Sequence, residues 1–586
     1  MSTSIIKWVG RCLVLLAFSG ALYSCNKTFD KLPDNALDYS EVYRDVNDAD
    51  AAIFGIYGQL IGLSKQYIIL NELRGDLMDV TDRSDKYLKQ LNQETSSQDN
   101  PYADPRPFYK VIMNCNDALY NFKLMLKTNR LTQADFDLRY SAVGAIRSWI
   151  YFQLGIQYGK IPYVTDPLAD VNAVKNQANY PRIEFPALLD TLANFTESLP
   201  YKHPFPAGAS LVTSIDGYST EKFFVPIDCF LGDLYLWKGD YTEAARHYHF
   251  MMNYADYLYP SMNSEQFYET YKIAYTGNIE NDNWKNIFAQ PYGERYSNYE
   301  IMWDLPFDDN FAPGNPFIQL FYNQPNGYLL KPSQLIVDRW DHQIRTDSTP
   351  GDFRGEGASY KLVAGQPVVN KFSSNFDPLS PFEKSDKWIL YRAATLHFHY
   401  SECAIMDGRT TLAYGLMNKG IRTAFNPLEL SGSDDVTDWE QSFGAPYDFD
   451  ARQGDYPYYR GHWYRNTGIN QRVSVPSEII DSAKYYDTTV LPRQFLTAAS
   501  EDSLKNDMMD DLLGYSAMEL AFEGNRWPDL LRVAMRREKH KPGSGVAFLQ
   551  EKISAKFKAG GRPDLAASVS GRLANPKNWF LPFNWD

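Results

Sequence analysis

The stretch LGDLYLWKGDYTEAARHY, residues 231–248, decides the fold class of this 586-residue chain. It begins with a Leu-Gly-x-x-Tyr step from Leu231 to Tyr235, and a Gly-Asp turn follows. Ala244 and Tyr248 then continue the apolar pattern at a spacing of four residues. Because residues four apart share one face of a helix, the stretch predicts two helices joined by a tight turn.

A small residue followed by an aromatic one at this spacing is typical of the second helix of a tetratricopeptide unit. The same Leu-Gly-x-x-Tyr step recurs at residues 154–158, and a third helix pair is predicted from about 388 to 425, with Asp407-Gly408 as its turn. The units do not follow the regular period of about 34 residues. We therefore predict a mainly α-helical protein, in which divergent tetratricopeptide-like helix pairs stack into a superhelical scaffold.

Further helices are predicted where apolar residues recur every three or four positions, namely at 49–60, about 109–119 and 135–158, and from 510 to about 537. Residues 76–107 are predicted to form a long loop because Asn-Pro and Asp-Pro breakers interrupt them. Two longer stretches, about 252–386 and 426–500, lack periodicity and are rich in Tyr, Trp, Asn, Asp, Pro and Gly. Irregular stretches of this length usually carry function, so we predict that they bind the ligand.

The first 24 residues have the pattern of a lipoprotein signal peptide. Two basic residues precede an apolar run that is shorter than the roughly 20 residues needed to cross a bilayer. The tetrapeptide Leu22-Tyr-Ser-Cys25 resembles the bacterial lipobox. We expect cleavage before Cys25, acylation of Cys25 as a membrane anchor and a lipidated tether over 25–37. A plain secretory signal is the alternative.

Composition excludes some classes of function. The chain has 58 Lys and Arg against 72 Asp and Glu, a net charge of -14, whereas nucleic-acid binding needs a clustered positive surface. Of the five Cys, three remain after the N-terminal segment, too few for a disulfide framework, and their apolar helical surroundings predict buried free thiols. Aromatic residues make up 15% of the chain, and abundant tyrosine suits a half-wet ligand surface.

Taken in order along the chain, several short motifs resemble those of the SusD/RagB family of outer-membrane nutrient-binding lipoproteins. Besides the lipobox, they are AIFGIY at 52–57, YxxIxxxN at 109–116, AxR at 145–147, YGKIP at 158–162, KGDY at 238–241, SE at 401–402, Asn and Ile-Arg within 418–422, ELAFEGNRW at 519–527 and LP at 581–582. Asn525, Pro528 and Pro105 depart from the family pattern, in which His and two aromatic residues are commoner.

The resemblance implies a SusD-like domain over 38–586, with a helical scaffold at about 38–251, 387–425 and 501–540 and irregular ligand-binding insertions at about 252–386 and 426–500. It also implies a lipid-anchored protein of the outer membrane that faces the cell exterior. Such a protein captures oligosaccharides or polysaccharides and delivers them to a SusC-like TonB-dependent transporter without catalysis. The alternatives are a RagB-like peptide-binding lipoprotein, a glycoside hydrolase, or a pure protein-binding scaffold.

Sugar rings have apolar faces and polar edges, so a sugar site needs flat aromatic rings beside carboxylates, amides and arginines. The candidates in the first irregular stretch are Trp284, Tyr292, Arg295, Tyr296, Asn298, Trp303, Asp304 and Trp340. Asp76 and Arg83, in the predicted loop, are comparable candidates. The alternative is that the rings pack the interior of the domain.

No catalytic residue and no metal ligand is predicted from the sequence. The chain lacks His-Glu-x-x-His, the phosphate-binding loop and Gly-x-Ser-x-Gly motifs. The Asp residues at 76, 79, 82 and 85 could hold Ca²⁺, but the EF-hand pattern is absent, which favours a solvated acidic loop. We therefore expect no cofactor.

Overall fold

The computed structural model describes residues 42–585 except 169, 177, 216, 259–286, 289–299, 308–312, 380–385, 419, 422–443, 450–467, 488 and 491–493. The signal peptide, Cys25 and the tether lie outside the described residues. The structure is mainly helical, as the sequence predicts.

The first half of the chain is built mostly from antiparallel helices. Its elements are α1 (Val46–Ile61), α2 (Ser64–Ile68, continued by a π-helical turn Ile69–Leu73), β1 (Met78–Val80), α3 (Lys86–Asn92), α4 (Arg106–Lys127), α5 (Gln133–Tyr158), β2 (Lys160–Pro162), β3 (Arg182–Glu184), α6 (Phe185–Glu197), β4 (Ser214–Ile215), β5 (Tyr218–Ser219), α7 (Ile227–Lys238) and α8 (Tyr241–Leu258). Consecutive helices pack side by side, α4 against α5, α6 against α7 and α7 against α8.

The helix pair α7/α8 confirms the prediction from residues 231–248. Gly239 ends α7 with a φ of 80°, a left-handed conformation that glycine adopts without strain. Gly232 faces the ring of Tyr248, and any side chain at position 232 would collide with that ring. The small residue of the Leu-Gly-x-x-Tyr step therefore lets the two helices approach closely.

The prediction of a long loop at 76–107 is wrong in part. The segment contains β1, α3 and a 3₁₀ turn at Pro101–Ala103. Asp85 caps α3, because its carboxylate accepts hydrogen bonds from the backbone N–H groups of Tyr87 and Leu88, both at 2.8 Å. One of the acidic residues assigned to a solvated loop is thus a helix cap.

The second half alternates short strands with helices. Its elements are β6 (Ile301–Pro306), α9 (Pro316–Phe321), β7 (Leu330–Pro332), α10 (Gln334–Asp341), β8 (Tyr360–Val363), β9 (Gln366–Val369), β10 (Lys387–Arg392), α11 (Ala393–Met406), α12 (Thr410–Met417), α13 (Ile469–Arg472), α14 (Ser482–Tyr485), β11 (Tyr486–Asp487), β12 (Gln494–Phe495), α15 (Ala498–Glu519), α16 (Arg526–His540), α17 (Ser544–Ala559) and α18 (Pro563–Leu573), followed by a 3₁₀ turn at Pro576–Trp579. The strands pair antiparallel in twos, β1 with β7, β2 with β3, β4 with β5, β6 with β10, β8 with β9 and β11 with β12.

Two predicted helix boundaries need correction. The third predicted pair starts later, because 388–392 belong to the buried strand β10, while the turn at Asp407-Gly408 is confirmed. The single helix predicted over 510–537 is two helices, α15 and α16. The chain breaks between them where Phe522 and Gly524 have φ values of 73° and 91°.

A buried carboxylate explains this break. Glu72, in the π-helical turn, accepts hydrogen bonds from the backbone N–H groups of Phe522, Gly524, Asn525 and Arg526, at 3.2, 2.7, 3.0 and 3.4 Å. An acidic side chain satisfies the free N–H groups at a helix start in this way. The contact joins residues some 450 positions apart, so local sequence patterns do not reveal it.

A buried ion network joins the C-terminal helices to the strands. Its cations are Arg354, Lys371, Arg392 and Arg472, and its carboxylates are Glu300, Asp352, Glu519 and Glu523. The four positive and four negative side chains balance, and all of them are buried. Buried charges are tolerated when they are paired in this way.

The three cysteines in the described residues, Cys115, Cys229 and Cys403, are buried free thiols, which confirms the sequence prediction. Within the described part of the chain, every helix is too short or too polar to cross a membrane.

Candidate functional site

A cleft of about 610 Å³ lies between α10 and residues 475–478. Ligand sites commonly have volumes of about 300–1,000 Å³, so the cleft could hold a small molecule or part of a longer chain. It is lined by Leu335, Asp338, Arg339, His342, Gln343, Ile344, Val475, Pro476, Ser477, Glu478 and Tyr515. We name this the Arg339 cleft.

Hydrogen bonds fix the two walls of the Arg339 cleft. Ser333 caps α10 and donates its hydroxyl to the backbone oxygen of Asp76 at 2.7 Å, which fastens one wall to the chain after α2. On the other wall, the backbone N–H of Glu478 donates to Asn418 Oδ1 at 2.9 Å. A backbone bond from Thr346 N to Ser474 O, 2.7 Å, joins the segments that carry the two walls.

Arg339 has hydrogen-bonding capacity to spare. Within the described residues its guanidinium makes one hydrogen bond, from Nη1 to the backbone oxygen of Gly514 at 3.4 Å, although it carries five N–H donors. Burial and the nearby positive charge of Arg526 hold the pKa of Arg339 below its ordinary value. The unused N–H donors and the disfavoured positive charge both favour a ligand oxygen that accepts hydrogen bonds from Arg339.

The cleft also offers acceptors and apolar surface. The carboxylate of Glu478 accepts a hydrogen bond from the Tyr515 hydroxyl at 3.1 Å and has a second oxygen for a ligand. Ser477 Oγ is buried without a hydrogen-bond partner among the described residues. Ile344 is half exposed beside these polar groups. Donors, acceptors and apolar atoms together suit a ring with hydroxyl groups on its edges.

Acidic groups surround one side of the cleft. Burial and the negative charges of Glu478 and Asp507 raise the pKa of Asp511 to about 6. Asp511 lies one helical turn before Tyr515 on α15. The lining itself sets one guanidinium, Arg339, against two carboxylates, Asp338 and Glu478, a nearly balanced charge that suits a neutral hydroxylated ligand.

A second cleft, of about 620 Å³, lies between the end of α1 and the start of α4. Two of its polar side chains, Gln59 and Asn114, bond to each other at 2.5 Å, and its lining also contains the charged residues Lys110 and Asp170. Leu63, Val111 and Leu168 are among its apolar lining residues. Its two amides are thus paired with each other, whereas Arg339 and Ser477 of the Arg339 cleft have unused hydrogen-bonding capacity among the described residues.

Two tryptophans predicted to contact ligand are core residues, which corrects that prediction. Trp303 on β6 is 1% exposed and packs edge-to-face against Trp149 of α5, with ring centroids 5.1 Å apart. Trp340 on α10 is fully buried, and its indole N–H donates to the backbone oxygen of Met518 at 3.3 Å. Asp304, next to Trp303, is also buried.

Asp76 is likewise buried rather than facing a ligand. Its carboxylate accepts two hydrogen bonds from the guanidinium of Arg526, at 2.5 and 2.8 Å. Burial acts to raise the pKa of Asp76, but Arg526 outweighs it and holds that pKa below its ordinary value. The sequence spacing suggests that Arg526 pairs with Glu523 and Asp529; the structure pairs it with Asp76 instead.

Arg83 is the one described candidate that lies at the surface. Its Nη1 donates to the backbone oxygens of Gln324 and Gly327, at 2.8 and 3.4 Å. These two bonds attach Arg83 to the loop before β7 and leave the rest of its guanidinium at the surface. Two residues further along, Asp85 accepts a hydrogen bond from the Tyr102 hydroxyl at 3.0 Å. The other candidates, Trp284, Tyr292, Arg295, Tyr296 and Asn298, lie outside the described residues.

Solved structures resemble this chain over most of its length. A SusD superfamily protein from Bacteroides vulgatus superposes with a TM-score of 0.54 at 14% identity, covering 88% of this chain and 92% of that one. One from Bacteroides thetaiotaomicron gives 0.53 at 15% identity, with 88% and 94% covered. The chain has the SusD-like fold. A SusD-like carbohydrate binding protein from Bacteroides fragilis gives 0.52 at 14% identity, with 87% and 92% covered.

The SusD-like fold confirms the architecture that the sequence resemblance implies. No family model matches the chain, and the search of curated proteins finds no match.

Sequence reasoning missed the Arg339 cleft of this SusD-like chain. Its walls are more than 130 positions apart in sequence, since Arg339 and Glu478 belong to separate irregular stretches. A signal was nevertheless present. Four polar residues lie in the last turns of α10 and just after it, next to its buried residues: Asp338, Arg339, His342 and Gln343. Such a polar cluster at a helix end could have been chosen as a candidate ligand contact.

Proposed function

We propose that this chain is a lipid-anchored protein of the outer membrane, facing the cell exterior, that binds oligosaccharides or polysaccharides without cleaving them. It delivers them to a SusC-like TonB-dependent transporter. The observation that carries this proposal is the likeness, over 87% of this chain, to a protein described as a SusD-like carbohydrate binding protein. The motifs shared with SusD/RagB proteins and the predicted lipobox at Cys25 support it.

The Arg339 cleft is the proposed sugar site among the described residues. Its arginine, amide and serine donors lie close to carboxylates and to the apolar surface of Ile344 and Val475. A neutral sugar presents hydroxyl groups that both donate and accept, and C–H faces that pack on apolar atoms. The aromatic residues at 284, 292 and 296 stay proposed as further ligand contacts.

Calorimetric titration of the mature chain, lacking the acylated Cys25, tests the binding role. The panel contains neutral polysaccharides, acidic polysaccharides and mixed peptides, and the mixtures are analysed afterwards for cleavage. We expect saturable binding of a neutral glycan and no products. Binding of peptides alone would favour the RagB-like alternative, and products would favour a glycoside hydrolase. Loss of glycan uptake by cells that lack the chain tests delivery.

Replacing Arg339 by Ala should weaken glycan binding at least tenfold. The change removes a charged hydrogen-bond donor from the cleft, and such bonds contribute about 1.5–3 kcal/mol each. Calorimetry with the glycan found above measures the loss. Arg106→Ala is the matched control, because Arg106 is exposed on α4 and bonds to Asp104 rather than lining the cleft. Equal affinities of the two variants would exclude the Arg339 cleft as the sugar site.

Replacing Cys25 by Ala should release the protein from the membrane. Stable anchoring requires acyl chains, each buried methylene contributing about 0.8 kcal/mol, and only a cysteine at this position can receive them. Fractionation of cells followed by salt washing measures the effect, with Cys115→Ala as the control because that thiol is buried in α4. A Cys25 variant that stays on salt-washed membranes would contradict the anchor.

A further inference from the structure

Three metal-ligating side chains converge between α6 and α8, away from the Arg339 cleft. They are Glu197, the last residue of α6, and Glu243 and His247, one turn apart on α8. Their ligand atoms lie within 4.8 Å of one another. His247 Nε2 is 3.0 Å from Glu197 Oε1 and 3.8 Å from Glu243 Oε1. Ligand atoms around a tetrahedral Zn²⁺ are about 3.3 Å apart, given bonds of about 2.0–2.1 Å.

The imidazole of His247 is held in the orientation that a metal ligand needs. Its Nδ1 lies 2.9 Å from Asp228 Oδ1 on α7, a carboxylate that can accept a proton from Nδ1 while Nε2 binds a metal. The ring of Tyr235 stacks on the imidazole, with centroids 5.6 Å apart and an interplanar angle of 11°. Metal-ligating histidines usually have such a carboxylate on their other nitrogen. Nε2 is thereby directed at the two glutamates.

A cationic group already lies where these ligand atoms converge. Arg246 Nη2 is 2.6 Å from Glu243 Oε1, 2.9 Å from His247 Nε2 and 3.9 Å from Glu197 Oε1. Its side chain is 53% exposed, so it can turn into solvent at small cost. The guanidinium therefore shows that this position favours a cation. Arg246 competes with a metal ion for the same position.

Each glutamate has a cationic partner in the structure. Arg246 Nη2 lies 2.6 Å from Glu243 Oε1, and Lys202 Nζ lies 2.8 Å from Glu197 Oε2. The Oε1 atom of Glu197 remains directed at His247 Nε2.

We propose that Glu197, Glu243 and His247 bind a divalent transition-metal ion, with Arg246 displaced into solvent and Asp228 orienting the histidine. One imidazole nitrogen and two carboxylate oxygens suit Zn²⁺ and its first-row neighbours. The bound ion links the end of α6 to the start of α8 and so ties two neighbouring helices of the scaffold. This role is independent of glycan binding.

Calorimetric titration of the metal-free mature chain with ZnCl₂ tests the proposal. We expect one ion per chain, with affinity reduced at least 100-fold by His247→Gln. Arg246→Gln should bind Zn²⁺ at least tenfold more tightly than the wild type, because it removes the competing cation. His540→Gln is the matched control, since His540 is 76% exposed elsewhere on the chain, and it should bind like the wild type.

Circular dichroism verifies that each variant is folded, and Glu243→Gln replaces His247→Gln if the latter does not fold. Co²⁺ added in place of Zn²⁺ should give visible absorption bands in the wild type. These bands should be lost in whichever of the two variants, His247→Gln or Glu243→Gln, is used. A His247 or Glu243 variant that binds Zn²⁺ as tightly as the wild type would overturn the proposal. So would an Arg246→Gln variant whose affinity is unchanged.

Discussion

Replacing Glu519 by Gln is expected to lower the free energy of unfolding by about 3–5 kcal/mol, the usual result of removing one partner from a buried ion pair. The Glu519 carboxylate accepts hydrogen bonds from Arg472 at 2.8 Å, Arg392 at 3.2 Å and Arg354 at 3.1 Å. All four side chains are buried. A neutral amide would leave three guanidinium groups with too little negative charge around them. Because the site is buried, water cannot compensate for the missing carboxylate.

Urea denaturation followed by circular dichroism measures this loss. Glu501→Gln makes the same change at a partly exposed position near the start of α15, where Glu501 pairs with Lys505, and should cost less than about 1 kcal/mol. Equal stabilities of the two variants would show that attraction within the ion network only offsets the cost of removing its charges from water.

The pH dependence of stability gives a second measurement of the same effect. Burial acts to raise the pKa of Glu519, but Arg472, Arg392 and Arg354 outweigh it and lower that pKa from 4.5 to about 2. A carboxylate with a lowered folded-state pKa contributes stability above pH 4.5, which is lost as the pH falls towards 2. The wild type should lose this contribution in that range, and Glu519→Gln should lose less.

The helical scaffold could be predicted because its signals are local. The 3.6-residue period of α5 and the Gly-Asp turn between α7 and α8 are each contained in fewer than 30 consecutive residues. The break between α15 and α16 could not be predicted. It depends on the carboxylate of Glu72, which is distant in sequence and is the group that satisfies the N–H donors there.

The candidate site was harder to predict for the same physical reason. Aromatic residues in an irregular stretch serve equally well as ligand platforms or as core, and composition does not distinguish the two. Trp303 and Trp340 are core because β6 pairs with the buried strand β10 and α10 packs against α15. Arg339 is only partly buried, and it differs from the buried arginines named above because its guanidinium has no carboxylate within salt-bridge distance among the described residues. Only the folded arrangement reveals this difference.

Replacing Trp303 by Ala is therefore expected to destabilise the fold by about 3–5 kcal/mol, the usual cost of removing a buried tryptophan. The indole fills space between β6 and α5, where it contacts Trp149, and its neighbour across the sheet is Tyr391 of β10. The cavity left by the substitution cannot be closed without shifting a strand whose partner is itself buried.

Urea denaturation and glycan calorimetry together decide between core and ligand contact for Trp303. Tyr120→Ala is the control, because Tyr120 is 51% exposed on α4 and its loss should change stability by less than about 0.5 kcal/mol. Under conditions where the Trp303 variant remains folded, its glycan affinity should equal that of the wild type, because the buried ring has no surface to offer a sugar. Unchanged stability combined with lost glycan binding would instead place the ring in the ligand site, and the strand pair β6/β10 would then have to open when glycan binds.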